Sequence, residues 1–263
     1  MKKSFVTEAI NLRNYPLNDN DTIVVMFSKT KGLMRAIAKG SKSPKSKLGA
    51  RIQMFIANKL MLNEGKNFDT ITQAQSVNTF FKIRQDFDKL TYSMYVAELV
   101  NNFCSKFYNN DENTSEIYDL IYKVYQLISS SKTKEEVLIH MIKFLTKFLN
   151  ILGWGLDFQY CSMCQKELDF SLDRSSVFSF EMGGFVCPDC NHKLQGETIN
   201  IHNKIKMFLK AQFETSMEEK TSYDEVAGIV VLEKCFEFLK KYIDNLSSKR
   251  TKVFEVLEKV KTF

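Results

Sequence analysis

Ile23-Val24-Val25-Met26-Phe27, followed by Gly32-Leu33-Met34-Arg35-Ala36-Ile37-Ala38-Lys39, sets the architecture of the first third of the chain. The first run is β-branched and apolar, the composition of a short strand with buried faces. Gly32 supplies the turn, and Leu33, Arg35, Ile37 and Lys39 then share one face of a second strand. Working outward, Ile52, Met54 and Ile56 alternate with Arg51, Gln53 and Phe55 at a period of two, which predicts a strand over 51–56. Phe68 to Val77 and Phe5-Val6 have strand composition as well. Five strands within residues 1–80 fit a partly open five-stranded barrel of the OB type, and an SH3-like barrel fits the same count.

After about residue 82 the apolar period becomes helical. Tyr92, Tyr95, Val96, Leu99, Val100 and Phe103 share a face, as do Ile117, Leu120, Ile121, Val124, Leu127 and Ile128. Thr133 opens a capping box that closes at Glu136, and Leu138, Met141, Ile142, Leu145, Leu149 and Leu152 line the helix behind it. Ile205, Phe208, Leu209 and Phe213 mark another helix. Ser222 with Glu225 reads as a second capping box before Ile229, Leu232, Phe236, Leu239, Ile243 and Leu246. Val253, Val256, Leu257 and Val260 form a last short amphipathic segment. Only 3 prolines and 10 glycines occur in 263 residues, so few long loops are expected. The length suits two domains, or one with an inserted module. The expected layout is a β domain over 1–80, a helical domain over 81–160 and 195–263, and a cysteine module over 161–194 inserted into it.

That module holds Cys161-Ser-Met-Cys164 and Cys187-Pro-Asp-Cys190, separated by 22 residues. Each Cys-x-x-Cys turn offers two thiolates to one side of a tetrahedral ion. The spacer carries Val177 to Phe180, then Gly183-Gly184, then Phe185-Val186, which reads as a β-hairpin running into the second pair. This is the form of a zinc ribbon, with a spacer slightly longer than the common spacing of about 15 to 20. Four ligands leave no open coordination position, so one structural zinc ion is expected. An iron–sulfur cluster uses the same four thiolates. Two disulfides would need an exported chain, and Glu8, Asn11 and Arg13 break any apolar signal segment. Nor does any run approach the roughly 18 apolar residues of a membrane span. A reducing cytoplasm is the expected compartment. Cys104 and Cys235 fall on or near apolar helix faces and read as core; His192, two residues past Cys190, is an alternative ligand but reads as a surface residue, and His140 and His202 are given no role.

Charge is distributed unevenly. Between Asp21 and Glu64 there is no acidic residue, while Lys29, Lys31, Arg35, Lys39, Lys42, Lys45, Lys47, Arg51 and Lys59 give nine positive charges. The net charge is +6, so the rest of the chain runs a deficit of three. Such asymmetry points to a polyanion. Lys39-Gly-Ser-Lys42-Ser-Pro-Lys45-Ser-Lys47 reads as an exposed loop whose small residues let phosphates come close. Phe27 and Phe55 are candidate stacking rings for a single strand. The Gly-Lys pair at Gly65-Lys66 has Leu60 where a P-loop needs its first glycine, so no ATPase signature exists. Neither a His-Glu-x-x-His motif nor a two-metal carboxylate set is present, and no enzymatic activity is expected.

Particular stretches carry a resemblance. Phe27-Ser-Lys-Thr-Lys31-Gly32 through Ala38-Lys39-Gly40-Ser41, continued by Ser46-Lys47-Leu48 and Gln53-Met-Phe55, resembles the strand–turn–strand of the bacterial DNA-repair RecO family. Leu149-x-x-Leu152-Gly153 before Cys161, and Phe180 with Gly183-Gly184 before Cys187, are similar to that family's approach to its zinc module. The resemblance implies an α+β fold: an N-terminal five-stranded OB-fold barrel, then an all-helical domain with an inserted four-cysteine zinc ribbon. It implies Cys161, Cys164, Cys187 and Cys190 as zinc ligands, and DNA contacts from Lys29, Lys31, Arg35, Lys39, Lys42, Lys45, Lys47 and Arg51. It also implies a cytoplasmic, nucleoid-associated recombination mediator. Such a protein binds single- and double-stranded DNA, anneals complementary strands, and acts with RecR. It thereby helps load RecA onto strands coated by single-strand-binding protein, whose acidic, apolar-ended tail it contacts through the helical domain. The basic set here is mostly Lys where the family also uses Arg, which favours phosphate contacts over base contacts. A zinc-ribbon protein of transcription or RNA metabolism, and a nuclease, are the other classes considered.

Overall fold

The alternating N-terminal third forms β1 (Ser4–Pro16), β2 (Thr22–Ser28), β3 (Gly32–Ala38), β4 (Ala57–Asn63) and β5 (Asp69–Asn78). The computed structural model describes residues 3–106, 113–168, 175–222, 224, 227–247, 249 and 251–255. The five strands close into a barrel of order β1-β2-β3-β5-β4. β1 pairs with β4 through its first half and with β2 through its second, and a register shift between Asn11 and Arg13 lets it serve both. The remaining closure is a parallel pairing of Ala36 and Ile37 with Asp69 and Thr70, the arrangement of the OB barrel. Ala9, Val24, Met26, Ala36, Leu60, Leu62 and Ile71 fill the interior.

Residues 51–56 do not form the strand that their alternation predicts; the fourth strand begins at Ala57. The Arg51 and Ile52 N–H groups both return to the Leu48 carbonyl, and Phe55 adopts a left-handed φ of 67°. A regular strand does not contain that conformation. The apolar residues there are buried for another reason, because the whole segment folds back onto the barrel. Three asparagines fasten it. Asn11 Nδ2 donates to the Arg51 and Gln53 carbonyls at 3.0 and 3.1 Å, and Asn14 Nδ2 to that of Ile52 at 2.9 Å. Asn58 Nδ2 donates to the Arg51 carbonyl at 2.9 Å, while its Oδ1 accepts from Ser76 Oγ at 3.0 Å. Asn58 is fully buried, so Asn58→Ala should cost about 1–3 kcal/mol. It should also raise amide hydrogen exchange over 48–53. Unchanged stability and exchange would show that the asparagine does not fasten the segment.

The chain divides into two compact units, residues 1–132 with 249–263, and residues 133–248. In the first, α1 (Phe87–Phe103) and α2 (Asn113–Ser130) accompany the barrel. Asp86 caps α1 by accepting from the Lys89 N–H. The α2 ring of Tyr125 meets Phe55 edge-on, with centroids 5.4 Å apart. Residues 251–255 return to α1: the Glu98 carboxylate accepts the Lys252 and Val253 N–H groups, and the Phe254 ring lies 5.1 Å from that of Tyr95. The rest of the amphipathic segment expected there, including Val256, Leu257 and Val260, lies outside the described residues.

The second unit contains α3 (Lys134–Ile151), β6 (Ser175–Ser179), β7 (Gly184–Val186), the single turn α4 (Pro188–Asn191), β8 (Thr198–His202), α5 (Asn203–Glu214) and α6 (Ile229–Leu246). Thr133 caps α3 by accepting the Glu136 N–H, as its capping box predicts. β6 and β7 are the expected hairpin. β8, placed by the sequence reading in a helical stretch, adds a third strand in the order β7-β6-β8. α6 starts behind Gly228 as N-cap, and Glu225, the expected box partner of Ser222, lies outside the described residues. Inside this unit, Lys143 Nζ pairs with Asp224 Oδ2 at 3.1 Å and donates to the Glu219 carbonyl. Asp224 Oδ1 accepts from Gln212 Nε2 at 2.8 Å and Thr221 Oγ1 at 2.6 Å. Among the described residues no helix is long and apolar enough to cross a membrane.

Candidate metal centre and nucleic-acid interface

The first cysteine pair sits in a tight loop. Tyr160 bridges Glu167, the Cys161 N–H donates to the Lys166 carbonyl, and the Gln165 N–H returns to the Cys161 carbonyl. Gln165 takes φ 61° to complete this turn. The second pair follows β7 directly, and the Cys190 and Asn191 N–H groups fold onto the Cys187 carbonyl. Glycine makes the approach of the two loops possible: a Cβ on Gly184 would stand 1.9 Å from Ser162 Oγ. The Ser162 N–H then donates to the Phe185 carbonyl at 2.9 Å, and the Cys187 N–H to Cys161 Sγ at 3.3 Å.

The result is a convergence of all four sulfurs within 4.8 Å of one another. Cys164 Sγ and Cys187 Sγ are 3.6 Å apart. A tetrahedral ion with arms of about 2.3 Å to sulfur requires edges of about 3.8 Å, whereas a disulfide measures about 2.05 Å. The donor set therefore fits one tetrahedral metal ion, and all four cysteines are free thiols. Burial raises the Cys161 pKa, but backbone N–H groups of Cys164, Cys187 and Met163 outweigh it and bring the thiol down to about 6. Amides aimed at a sulfur favour the thiolate, which is the form that ligates. Cys104 and Cys235 are buried core thiols pushed up to about 12 by burial, and His192 is exposed.

The basic segment is sorted by the fold. Folding brings acids to the interval that has none in the sequence. Lys29 pairs with Asp119 of α2 at 2.8 Å, and Lys31 lies 3.7 Å from Glu64 and over the Phe5 ring. Lys42 donates to the Asn18 carbonyl. Asp21 accepts the Gly40 N–H at 2.8 Å. That amide, then Asn18, outweigh burial and, with the weaker charges of Lys39 and Lys42, hold the Asp21 carboxyl below its ordinary value. Arg35, Lys39, Lys42, Lys45, Lys47 and Arg51 are all exposed, and no ion pair to a described residue engages them. Lys47 and Arg51 also line a groove of about 500 Å³ together with Lys59. Lys59 was counted in the basic interval but not among the site residues; placing the fourth strand at 57–63 would have put it on the outer face. Phe27 and Phe55 are 2% and 1% exposed, so they are core and offer no ring to a base.

These features define an α+β barrel protein that carries a four-thiol ribbon. Comparison with known proteins goes further, and the chain belongs to the RecO family. Residues 1–80 match the family described as "Recombination protein O N terminal", and residues 84–253 the one described as "Recombination protein O C terminal". A DNA repair protein RecO of Nostoc sp. is 32% identical over 75% of this chain and 67% of its own length. That of Gloeobacter violaceus is 26% identical over 80% of this chain and 77% of its own length. That of Clostridium novyi is 26% identical over 98% and 94%, respectively.

Proposed function

We propose that this chain is a DNA repair protein of the recombination-mediator type. The observation that supports this most is the set of exposed cations with no ion pair to a described carboxylate, presented by an OB barrel in a chain of the RecO family. Arg35, Lys39, Lys42, Lys45, Lys47 and Arg51 hold phosphates of single- and double-stranded DNA, with Lys29 and Lys31 as further contacts at the β2–β3 turn. Binding draws on counterion release and carries no sequence information. Neutralising two backbones at once lowers their repulsion and promotes annealing of complementary strands, without nucleotide and without covalent chemistry. In the bacterial cytoplasm, at the nucleoid, the protein acts with RecR and single-strand-binding protein so that RecA is loaded on coated strands. Cys161, Cys164, Cys187 and Cys190 hold one structural zinc ion, which supplies folding free energy to the ribbon rather than reactivity.

The test is charge reversal in the loop. Lys39→Glu with Lys42→Glu should weaken single-stranded and duplex oligonucleotides by similar factors, roughly 10-fold or more, and lower the slope of log affinity against log salt by about two. Annealing of fluorescent complementary strands should slow in parallel, on bare strands and on strands coated with single-strand-binding protein. Affinity and annealing equal to those of the unaltered protein would overturn the assignment. Strand cleavage on a denaturing gel would indicate a nuclease, and a marked preference for RNA or for one sequence would favour the zinc-ribbon alternative.

A further inference from the structure

We infer that the groove on the outer face of β1, β4 and β5 is a subsite for an unpaired strand, with Lys59, Gln73 and Gln75 as its selective contacts. This rests on the DNA-binding reading above and adds to it a place and a preference. The groove is built by register. Lys59 stands opposite Gln75, and Met61 opposite Gln73, across the β4–β5 pair; Val6 stands opposite Met61 across β1–β4. A register shift between Met61 and Leu62 interrupts the ladder, and Thr72 Oγ1 bonds the Met61 carbonyl at 2.9 Å beside it. The Lys47–Arg51 stretch, fastened by Asn11 and Asn58, forms the wall.

Three kinds of group meet there. Lys47, Arg51 and Lys59 supply positive charge, and among the described residues no carboxylate lines the groove. Glu8, the β1 register partner of Lys59, stands close to Tyr118 and Lys29. Val6 is 55% exposed on the floor, an apolar surface that packing of the barrel leaves uncovered. Gln73 and Gln75 are exposed amides, each offering both donors and acceptors. Phosphates accept only, whereas an amide both donates and accepts, and amides beside an apolar floor suit the edge and face of a base. A duplex keeps its bases stacked and paired, and cannot seat one in such a groove without flipping it out. An unpaired strand can. Among the described residues no aromatic ring lines the groove, so base stacking adds little and sequence preference should be small. With one strand seated here, the cations of the 39–45 loop remain available to a second.

The experiment compares two variants and one cross-link. In Lys59→Ala/Gln73→Ala/Gln75→Ala, affinity for a single-stranded 20-mer, read by fluorescence anisotropy, should fall about 10-fold through lost amide and ammonium hydrogen bonds, while affinity for the matching duplex changes less than about twofold. Equal losses on both, or no loss on the single strand, would overturn the groove assignment. If Lys39→Glu/Lys42→Glu also binds as the unaltered protein does, the DNA-binding reading itself fails; if it weakens both ligands while the triple variant weakens neither, only the groove inference falls. A second readout uses the unaltered protein. A single strand carrying 4-thiothymidine should photo-cross-link to peptides containing residues 59–61 and 72–75, and cross-links confined to other regions would reject the subsite.

Discussion

Cys187→Ser should remove the metal from the protein and destabilise the second unit without weakening DNA binding by more than a few-fold. Cys187 lies at the junction of the two loops: its sulfur stands 3.6 Å from Cys164 Sγ, and its N–H supports Cys161 Sγ. A serine hydroxyl cannot close a tetrahedral site built for soft thiolates. Structural zinc sites contribute roughly 10–16 kcal/mol of binding free energy, which is coupled to folding. Here the loss should be partial, because Phe178 also packs edge-on against Phe185, Phe238 and Tyr242 in a core of its own. Metal content by mass spectrometry should fall from one ion per chain to near zero, and the melting temperature of the second unit by about 10 °C or more. Chelation of the unaltered protein should reproduce that shift. One ion retained per chain, or an unchanged melt, would disprove the assignment of the ligand set. The cations proposed to hold phosphates belong to the first unit, so the proposed contacts should survive.

Asp224→Ala should cost the second unit about 3–5 kcal/mol, because Lys143 would keep its charge in a buried site with its counter-ion gone. The two side chains are 3% and 8% exposed, so the Lys143 charge is held out of bulk water. Gln212 and Thr221 would lose an acceptor as well. Burial tends to raise the Asp224 pKa, but the Thr221 hydroxyl and N–H, Lys143 and Gln212 outweigh it and hold the carboxyl below its ordinary value of 3.8. A depressed carboxylate gives its full stabilisation above the unfolded value, and that contribution fades as pH falls through the folded one. Urea melts should therefore show the Asp224→Ala penalty intact at pH 6 and shrinking below about pH 3.8. A penalty under about 1 kcal/mol at pH 6 would mean the pair is not a stabilising contact. Lys143→Met combined with Asp224→Leu should recover much of the loss.

Much of this was legible in the sequence, for identifiable reasons. A Cys-x-x-Cys pair is a local chemical constraint, so two such pairs joined by a hairpin pattern revealed the thiol cluster before any fold was known. The helical stripes were equally plain, because a period of 3.6 sustained over four turns has few competitors. The fourth strand was not. Ile52, Phe55 and Ile56 are buried by a loop folding back over the barrel, and burial of that origin imitates strand alternation. The fastening comes from Asn11, Asn14 and Asn58, long-range bonds to carbonyls that no local pattern records. β8 is only 5 residues long and runs straight into α5, so its period was too short to read. The charge pattern located the basic segment but not its geometry. Asp119 and Glu64 come to Lys29 and Lys31 through folding, while Lys59 gains its neighbours only once β4 is in register with β5.

The return of residues 251–255 to α1 bears on how the protein is made. The barrel and its two helices leave the ribosome first, yet the segment that bonds Glu98 and places Phe254 against Tyr95 follows only after residues 133–248 have been synthesised. At bacterial rates of about 5–20 residues per second, this is a delay on the order of 10 s. Throughout it the nascent first unit lacks the contacts that close it, while the second unit has its complete sequence earlier and can fold as an autonomous insert. The first body to begin folding is therefore the last to be finished.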